Sequence, residues 1–300
     1  KEQAYPYELY QSWVDLGLLA LPFPETYGGL GGSVMDMVIL AEEISRKSAD
    51  FYMAYAGSVF CGLNVARKGS EEQKKFWLPR LLSGEVRFSI SMSEPDAGTD
   101  IGAMRTTAVR DGDHYVINGQ KLWSTGSGAK DTVINLYVRT DPKANIRQGM
   151  SLFLVDNDTP GLKLRKLDML GRRCTGTYEI FLDNVRVPAD RLVGTENAGW
   201  DVVLSGLQVE RITSAAGNVG AAQAALDLAV AYARERKQFG RPIGSNQAIG
   251  HMLADLATEV EAARTLTWRA AWLVSQGKDA LREISMAKLL SSEKIGRAHV

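Results

Sequence analysis

The first quarter of the chain has the apolar periodicity of helices. Apolar residues recur at three- and four-residue spacings in YELYQSWVDLGLLALP (7–22), SVMDMVILAEEISRKSA (33–49) and EEQKKFWLPRLLSG (71–84). The first stretch ends at Pro22 and the third at Gly84, both of them residue types that stop helices. This pattern predicts helices across residues 7–85.

From residue 87 the pattern changes to short segments that are rich in β-branched residues and partly alternate between apolar and polar positions. These segments are RFSISMSE, RTTAVR, HYVING, KLWST, TVINLYVRT, MSLFLVD, LKLRKL and YEIFLDNVRVP. Two connections, RDGD (110–113) and INGQ (117–120), contain the Asp-Gly and Asn-Gly pairs typical of tight hairpins. We therefore predict a β domain with a hairpin turn at each pair.

Helical periodicity returns after NAGW (197–200) and continues to residue 294 in three long segments. The order of helices, strands and helices predicts an α+β fold. Its parts are an N-terminal helical domain (1–85), a middle β domain (86–197) and a C-terminal helical domain (198–294).

The two ends of the chain carry separate expectations. The last six residues, IGRAHV (295–300), match the translation of a common sequencing adapter, and we predict that they are not native; the alternative is an ordinary frayed helix end. In both cases the last helix has no cap or partner, so we expect a C-terminally truncated chain with an incomplete helical bundle. The chain starts at Lys1 rather than Met, which leaves room for a lost leader.

Charge and cysteine usage narrow the class of partner. The 35 basic and 35 acidic residues balance, which argues against nucleic acid or an anionic membrane and favours a small molecule. Cys61 and Cys174 are far apart, and the three histidines have no ligand spacing, so we expect neither a disulfide framework nor a metal site. A reducing compartment fits this composition, and no apolar run reaches the length of a membrane span.

Two short motifs have the composition of a ligand site. The chain has no GxGxxG or Walker A motif, which disfavours a Rossmann nucleotide site. SMSEPDAGTD (91–100) places hydroxyls and a glycine in a turn, where the alternative is a plain loop. At the end of INGQKLWST, regular strand alternation puts Trp123 and Thr125 on one face. An aromatic wall beside a hydroxyl suits a planar heterocycle, and the alternative is a packed core tryptophan.

Together with ERKQFGRPIGSNQ (235–247), these motifs resemble the acyl-CoA dehydrogenase family. LPFPETYGGLGG (21–32) and LDMLGRRCTGTYEIFLDNVRVP (167–188) are also similar to family segments, in the same order along the chain. The resemblance implies an FAD enzyme with a helical domain, a β-barrel domain and a four-helix domain. It further implies a homodimer or homotetramer.

The resemblance also implies roles for individual residues. The residues implied in FAD binding are Ile90, Met92, Ser93, Gly98, Thr99, Trp123, Ser124, Thr125, Arg236, Gln238, Phe239 and Gln247. Thr99 would lie between flavin and acyl-CoA, and the hydroxyl of Thr125 near flavin N5. The segment from Arg236 to Gln247 would reach the FAD of a neighbouring subunit. Tyr52, Tyr55 and Ala56 would form the floor of the acyl pocket.

Glu210 is the candidate catalytic base. The positions three and four residues away hold Gly206, Leu207, Thr213 and Ser214, so no helical ion pair accounts for its charge. Some family members take their base from this position, whereas others use a glutamate in a late loop beyond residue 294, and the structural alternative is a surface carboxylate. Gln208 and Arg211 would bind substrate, although many relatives have an aspartate at the position of Gln208.

The implied reaction converts an acyl-CoA to the trans-2-enoyl-CoA, as in β-oxidation of fatty acids. Glu210 would remove the pro-R α-proton and the β-hydrogen would leave as hydride to the flavin. Electrons would then pass to an electron-transferring flavoprotein, in the bacterial cytoplasm or, with a lost leader, in the mitochondrial matrix. The alternatives are an acyl-CoA oxidase or flavin monooxygenase of the same fold, or a catalytically silent assembly or binding homologue.

Overall fold

The computed structural model describes residues 4–297, without the side chains of 294–297. The chain divides into two compact units, one made of residues 1–31 and 53–207 and the other of residues 32–52 and 208–300. Of the predicted non-native tail, residues 295–297 continue the last helix, and 298–300 lie outside the described residues.

Helices of the first unit are α1 (Tyr7–Asp15), most of α3 (Ala49–Lys68) and α4 (Glu71–Leu82). The hydroxyl of Ser70 accepts a hydrogen bond from Gln73 N, and the Gln73 side chain accepts one from Ser70 N, so a capping box starts α4. The helix predicted over 7–22 ends early, at Asp15. Hydrogen bonds from Leu16 N to Ser12 O and from Gly17 N to Val14 O tighten the chain into turns there.

The first unit also contains an eight-stranded sheet with the order β6-β7-β3-β2-β4-β5-β8, in which β1 pairs with β4. The strands are β1 (Arg87–Ser91), β2 (Thr107–Asp111), β3 (His114–Thr125), β4 (Thr132–Arg139), β5 (Met150–Asp156), β6 (Leu162–Lys166), β7 (Thr177–Pro188) and β8 (Leu192–Val193), and the short helix α5 is Ile146–Gly149. Alternate residues of these strands pack into one apolar core, which includes Tyr115, Ile134, Phe153 and Ile180.

Only one of the two predicted hairpins forms. Asp111 pairs with His114 across Gly112 and Asp113, so the prediction for RDGD is confirmed. The prediction for INGQ is wrong, because β3 continues through it with a β-bulge between Ile117 and Gly119. Gly119 has φ +147°, and a Cβ there would lie 2.5 Å from the hydroxyl of Thr106. The Asn-Gly pair therefore serves a bulge and a close backbone approach.

The second unit contains α2 (Val34–Lys47), α6 (Gly199–Glu235, from Gln208), α7 (Gln247–Ser275) and α8 (Leu281–Arg297). A hairpin of β9 (Lys237–Gln238) and β10 (Arg241–Pro242) joins α6 to α7. Glu42 on α2 is buried and accepts hydrogen bonds from Arg264 Nε at 2.7 Å and Trp268 Nε1 at 3.1 Å. This network ties α2 to α7, a partnership that the sequence pattern did not predict.

The predicted fold class is confirmed: the chain is α+β, with N-terminal helices, a middle sheet and C-terminal helices. Within residues 4–297, no helix has both the length and the apolar character needed to cross a membrane.

Candidate active site

Two of the predicted cofactor segments meet in the first unit. The backbone N–H of Leu122 donates to Ser93 O at 2.9 Å. The hydroxyls of Ser91 and Ser124 are hydrogen-bonded at 2.6 Å, and both side chains are buried. The end of β1 and the end of β3 therefore present one continuous surface, although Ser91 and Ser124 are 33 positions apart in the sequence.

Trp123 is exposed by a second β-bulge in β3. The register with β7 shifts between Lys121 and Ser124, and Trp123 takes φ +67° with 56% of its surface exposed. A left-handed backbone is costly for an aromatic residue and is usually kept at functional sites. The bulge interrupts the alternation from which a shared face with Thr125 was predicted. Thr125 is half-buried, and its hydroxyl lies 3.1 Å from that of Thr177.

The loop after β1 leaves room for a ligand at its glycine. Backbone hydrogen bonds in both directions between Glu94 and Ala97, at 2.9 and 3.2 Å, close a tight turn. Gly98 and Thr99 follow it and are exposed, and a Cβ at Gly98 would meet no atom within 4 Å. Ile90 is exposed between buried neighbours, and Met92 and Ser93 are half-buried.

A buried ion pair next to these segments was missed by the sequence reasoning. Lys121 is fully buried, and its ammonium donates to Met92 O at 3.0 Å and to Glu94 Oε1 at 2.8 Å. Burial lowers the pKa of Lys121 to about 8, against the opposing attraction of Glu94. The available signal was that Lys121 is the only charged residue in INGQKLWST.

Glu210 lies on α6 in the second unit and is accessible to solvent. Among the described residues its carboxylate makes neither a hydrogen bond nor an ion pair. Desolvation by the surrounding protein raises its pKa, and the charge of Arg211 opposes this only in part. An accessible, unpaired carboxyl with a raised pKa is suited to accept a proton near neutral pH.

Gln208 and Arg211 are close to Glu210 in the sequence, and each has a polar group that is unpaired among the described residues. The Gln208 amide oxygen is buried with no hydrogen-bond partner among the described residues. Buried acceptors are normally satisfied, so an amide oxygen without a partner is unusual at this position. In the part of the chain that the structure describes, the Arg211 guanidinium has no ion pair.

The residues that follow α6 are far from Glu210. Arg236, Gln238 and Gln247 are exposed, and Phe239, at the tip of the β9–β10 hairpin, is 99% exposed. The helix is continuous between Glu210 and Glu235, and 25 residues at 1.5 Å each put about 38 Å between these positions. The second unit therefore does not bring the hairpin together with Glu210.

The three residues predicted for the acyl pocket have different surroundings. The Tyr55 hydroxyl donates to Leu18 O at 3.3 Å and its ring packs edge-on against Trp13, so Tyr55 is part of the helical core, and its role in an acyl pocket stays a prediction. Ala56 is buried. Tyr52 is buried against α6, where Gly217 lies beside its ring, and burial and the charge of Glu210 raise the pKa of its hydroxyl.

Comparisons with known families cover nearly the whole chain. The N-terminal, middle and C-terminal domains of acyl-CoA dehydrogenase match residues 1–85, 89–185 and 197–299.

Two curated relatives are similar over almost all of it. The probable acyl-CoA dehydrogenase YngJ of Bacillus subtilis is 41% identical, with 98% of this chain and 78% of YngJ covered. The caffeyl-CoA reductase-Etf complex subunit CarC of Acetobacterium woodii is 37% identical, with 96% and 76% covered.

Solved structures agree with these relatives. Butyryl-CoA dehydrogenase from Megasphaera elsdenii superposes with a TM-score of 0.91 at 32% identity, covering 97% of this chain and 77% of that one. An FAD-dependent dehydrogenase has a TM-score of 0.92 at 31% identity, covering 98% and 80%. The chain belongs to the acyl-CoA dehydrogenase family.

Proposed function

We propose that this chain is an FAD-dependent acyl-CoA dehydrogenase that converts an acyl-CoA thioester to the trans-2-enoyl-CoA, with Glu210 as the base. The observation that supports this assignment best is the Glu210 carboxyl, which is accessible, has no ion pair among the described residues and has a raised pKa. Membership of the family and similarity to FAD-dependent and acyl-CoA-specific dehydrogenases support the reaction class.

The surface at the ends of β1 and β3 fits a flavin. Trp123 offers an exposed indole for stacking, Gly98 leaves open space for close approach, and Thr125 and Ser93 offer hydroxyls. We propose that FAD binds there, with Ile90, Met92, Thr99 and Ser124 completing the surface. When bound, FAD supplies the acceptor for the β-hydrogen, and the protein supplies position and electrostatics.

Glu210 would take the α-proton of the thioester. An ordinary glutamate, with a pKa near 4.3, is a weak base at neutral pH, so desolvation of the carboxylate strengthens it for this task. We propose that the Gln208 side chain, whose amide oxygen has no hydrogen-bond partner among the described residues, turns toward the pantetheine arm and accepts a hydrogen bond from one of its amide N–H groups. Arg211 can bind an oxygen or phosphate of the substrate.

We predict an acidic limb in the pH profile that belongs to Glu210. The base is active when deprotonated, so kcat/KM rises with pH through the raised pKa of this carboxyl and levels off above it. Rates with one acyl-CoA from pH 5 to 9 measure the limb, and it should vanish in Glu210→Gln. A limb that persists unchanged in that variant would assign it to another group.

We predict a preference for short, uncharged acyl chains, straight or branched. The stretch FYMAYAGSVF (51–60) contains no cation, so a glutaryl carboxylate would be buried without a partner. Tyr52 fills space beside Gly217 and shortens any pocket along that face. Steady-state rates across butyryl-, isovaleryl-, glutaryl- and dodecanoyl-CoA test this. A preference for glutaryl-CoA or for chains of twelve or more carbons contradicts it.

We also propose that Arg236, Gln238, Phe239 and Gln247 hold the FAD of a neighbouring subunit in a homodimer or homotetramer. These residues are exposed and lie about 38 Å along α6 from Glu210, which supports a role away from the catalytic base of their own chain. We further propose that the domain boundaries lie at residues 85 and 197. The proposed electron acceptor is an electron-transferring flavoprotein, and the proposed location is the bacterial cytoplasm or the mitochondrial matrix.

Anaerobic mixing with butyryl-CoA or isovaleryl-CoA tests the proposed function. The expected result is bleaching of bound flavin, formation of the enoyl-CoA and turnover with an electron-transferring flavoprotein. Rapid peroxide production in air would support an oxidase. A flavin that no acyl-CoA bleaches would support a silent homologue.

A further inference from the structure

The Lys121–Glu94 ion pair is buried, and both side chains also form hydrogen bonds with backbone atoms of nearby segments. Lys121 has no exposed surface and Glu94 has 7%. Besides the Lys121 ammonium, the Glu94 carboxylate accepts hydrogen bonds from Arg105 N at 2.6 Å and Thr106 N at 3.0 Å. One carboxylate in the loop after β1 is thus bonded both to β3 and to the two residues that precede β2.

Its contacts fall at the points where the proposed flavin segments begin. Lys121 donates to Met92 O, and the next residue, Leu122, donates to Ser93 O, so consecutive residues of β3 hold consecutive residues after β1. The bulge that exposes Trp123 starts directly after Lys121. The turn that leads to Gly98 starts at Glu94 itself.

Stability alone is a poor explanation for such a pair. Desolvating two charges costs about as much as their attraction returns, and apolar residues of similar volume often stabilise a fold equally well. Ionic hydrogen bonds are directional, however, and they specify one arrangement of the groups that they join. Here those groups are backbone atoms of residues 92 and 105–106.

We propose that Lys121 is a positioning residue for the cofactor: held by Glu94, its ammonium fixes the Met92 carbonyl and the start of the Trp123 bulge, so that the loop after β1 and the end of β3 form one flavin-binding surface. This inference rests on the proposed function, because it takes the surface to be the flavin site. Lys121 itself is buried beneath that surface and acts through its neighbours.

The test compares Lys121→Met with Lys130→Met. Both substitutions remove a lysine ammonium, but Lys130 is exposed and its only ion pair in the described chain is a 3.8 Å contact with Asp131. Apoprotein of each is titrated with FAD by fluorescence quenching, and its fold is checked by circular dichroism. We expect folded Lys121→Met to bind FAD at least tenfold more weakly than the parent, and Lys130→Met to bind within twofold.

The absorption spectrum of the bound flavin gives a second readout. At saturating FAD, we expect Lys121→Met to lose the resolved shoulder of the flavin band, which a change in stability alone would not alter. If Lys121→Met does not fold, Glu94→Gln, which keeps the side-chain volume, carries the same two expectations. Parent-like FAD affinity and spectrum in the folded variant overturn the proposal. A parent that binds no FAD overturns the proposed function instead.

Discussion

Replacing Glu210 by glutamine is expected to slow flavin reduction by acyl-CoA by a factor of about 10² to 10⁴, the usual contribution of a general base. Glutamine keeps the shape of the side chain and removes its ability to accept the α-proton. FAD content and the Kd for acyl-CoA should stay close to those of the parent. Anaerobic stopped-flow absorbance at the flavin band measures the rate in a single turnover.

The loss should not come from unfolding. Desolvation raises the pKa of the Glu210 carboxyl in the folded state. The folded state therefore binds the proton of the Glu210 carboxyl more tightly than the unfolded state does. The contribution of this carboxyl to stability is lost as pH rises through its folded-state pKa. Above that pH the ionised carboxylate destabilises the fold. Glu210→Gln removes this cost and should be at least as stable as the parent at neutral pH.

Arg211→Ala is the matched control on the same turn of α6. It leaves the base in place and should mainly raise the Kd for acyl-CoA, with a smaller effect on the flavin reduction rate at saturating substrate. If Glu210→Gln reduces its flavin at the parent's rate, another residue supplies the base and Glu210 is a structural carboxylate.

Replacing Gly220 by alanine is expected to destabilise the second unit by about 2 kcal/mol. A Cβ at Gly220 would lie 2.1 Å from Glu42 O and 3.0 Å from Arg46 N, both backbone atoms of α2 that cannot rotate away. Forced separation of α2 from α6 costs about 3 kcal/mol, the upper part of the range for overpacking. The better helix propensity of alanine returns about 1 kcal/mol.

Gly250→Ala is the control for helix propensity. Gly250 is also helical and in the second unit, but its Cβ would lie 3.9 Å from the nearest atom, Gly244 O. That variant should gain about 1 kcal/mol or be neutral. Urea unfolding followed by circular dichroism measures both. Equal effects of the two substitutions would mean that α2 and α6 do not pack closely at Gly220.

Most of the secondary structure was predictable because its causes are local. Periods of 3.6 and 2 residues placed the long helices and the strands, and the Asp-Gly pair at Gly112 was correctly predicted as a hairpin turn. The hairpin predicted at the Asn-Gly pair of Gly119 was wrong, because the backbone freedom of glycine also allows a β-bulge where a neighbouring segment approaches closely. Local sequence does not distinguish these two uses.

The sequence by itself determined the α+β order of elements, the motifs that identify the family, and the absence of a helical partner for Glu210. Only the tertiary structure decided that Trp123 is exposed by a bulge, that Tyr55 belongs to the core and that α2 packs against the C-terminal helices. It also decided that Lys121 is buried, because a charge enters a core where a partner satisfies it, and here that partner, Glu94, lies 27 positions away in the sequence. Periodicity is set by neighbouring residues, whereas burial and pairing depend on segments that folding brings together.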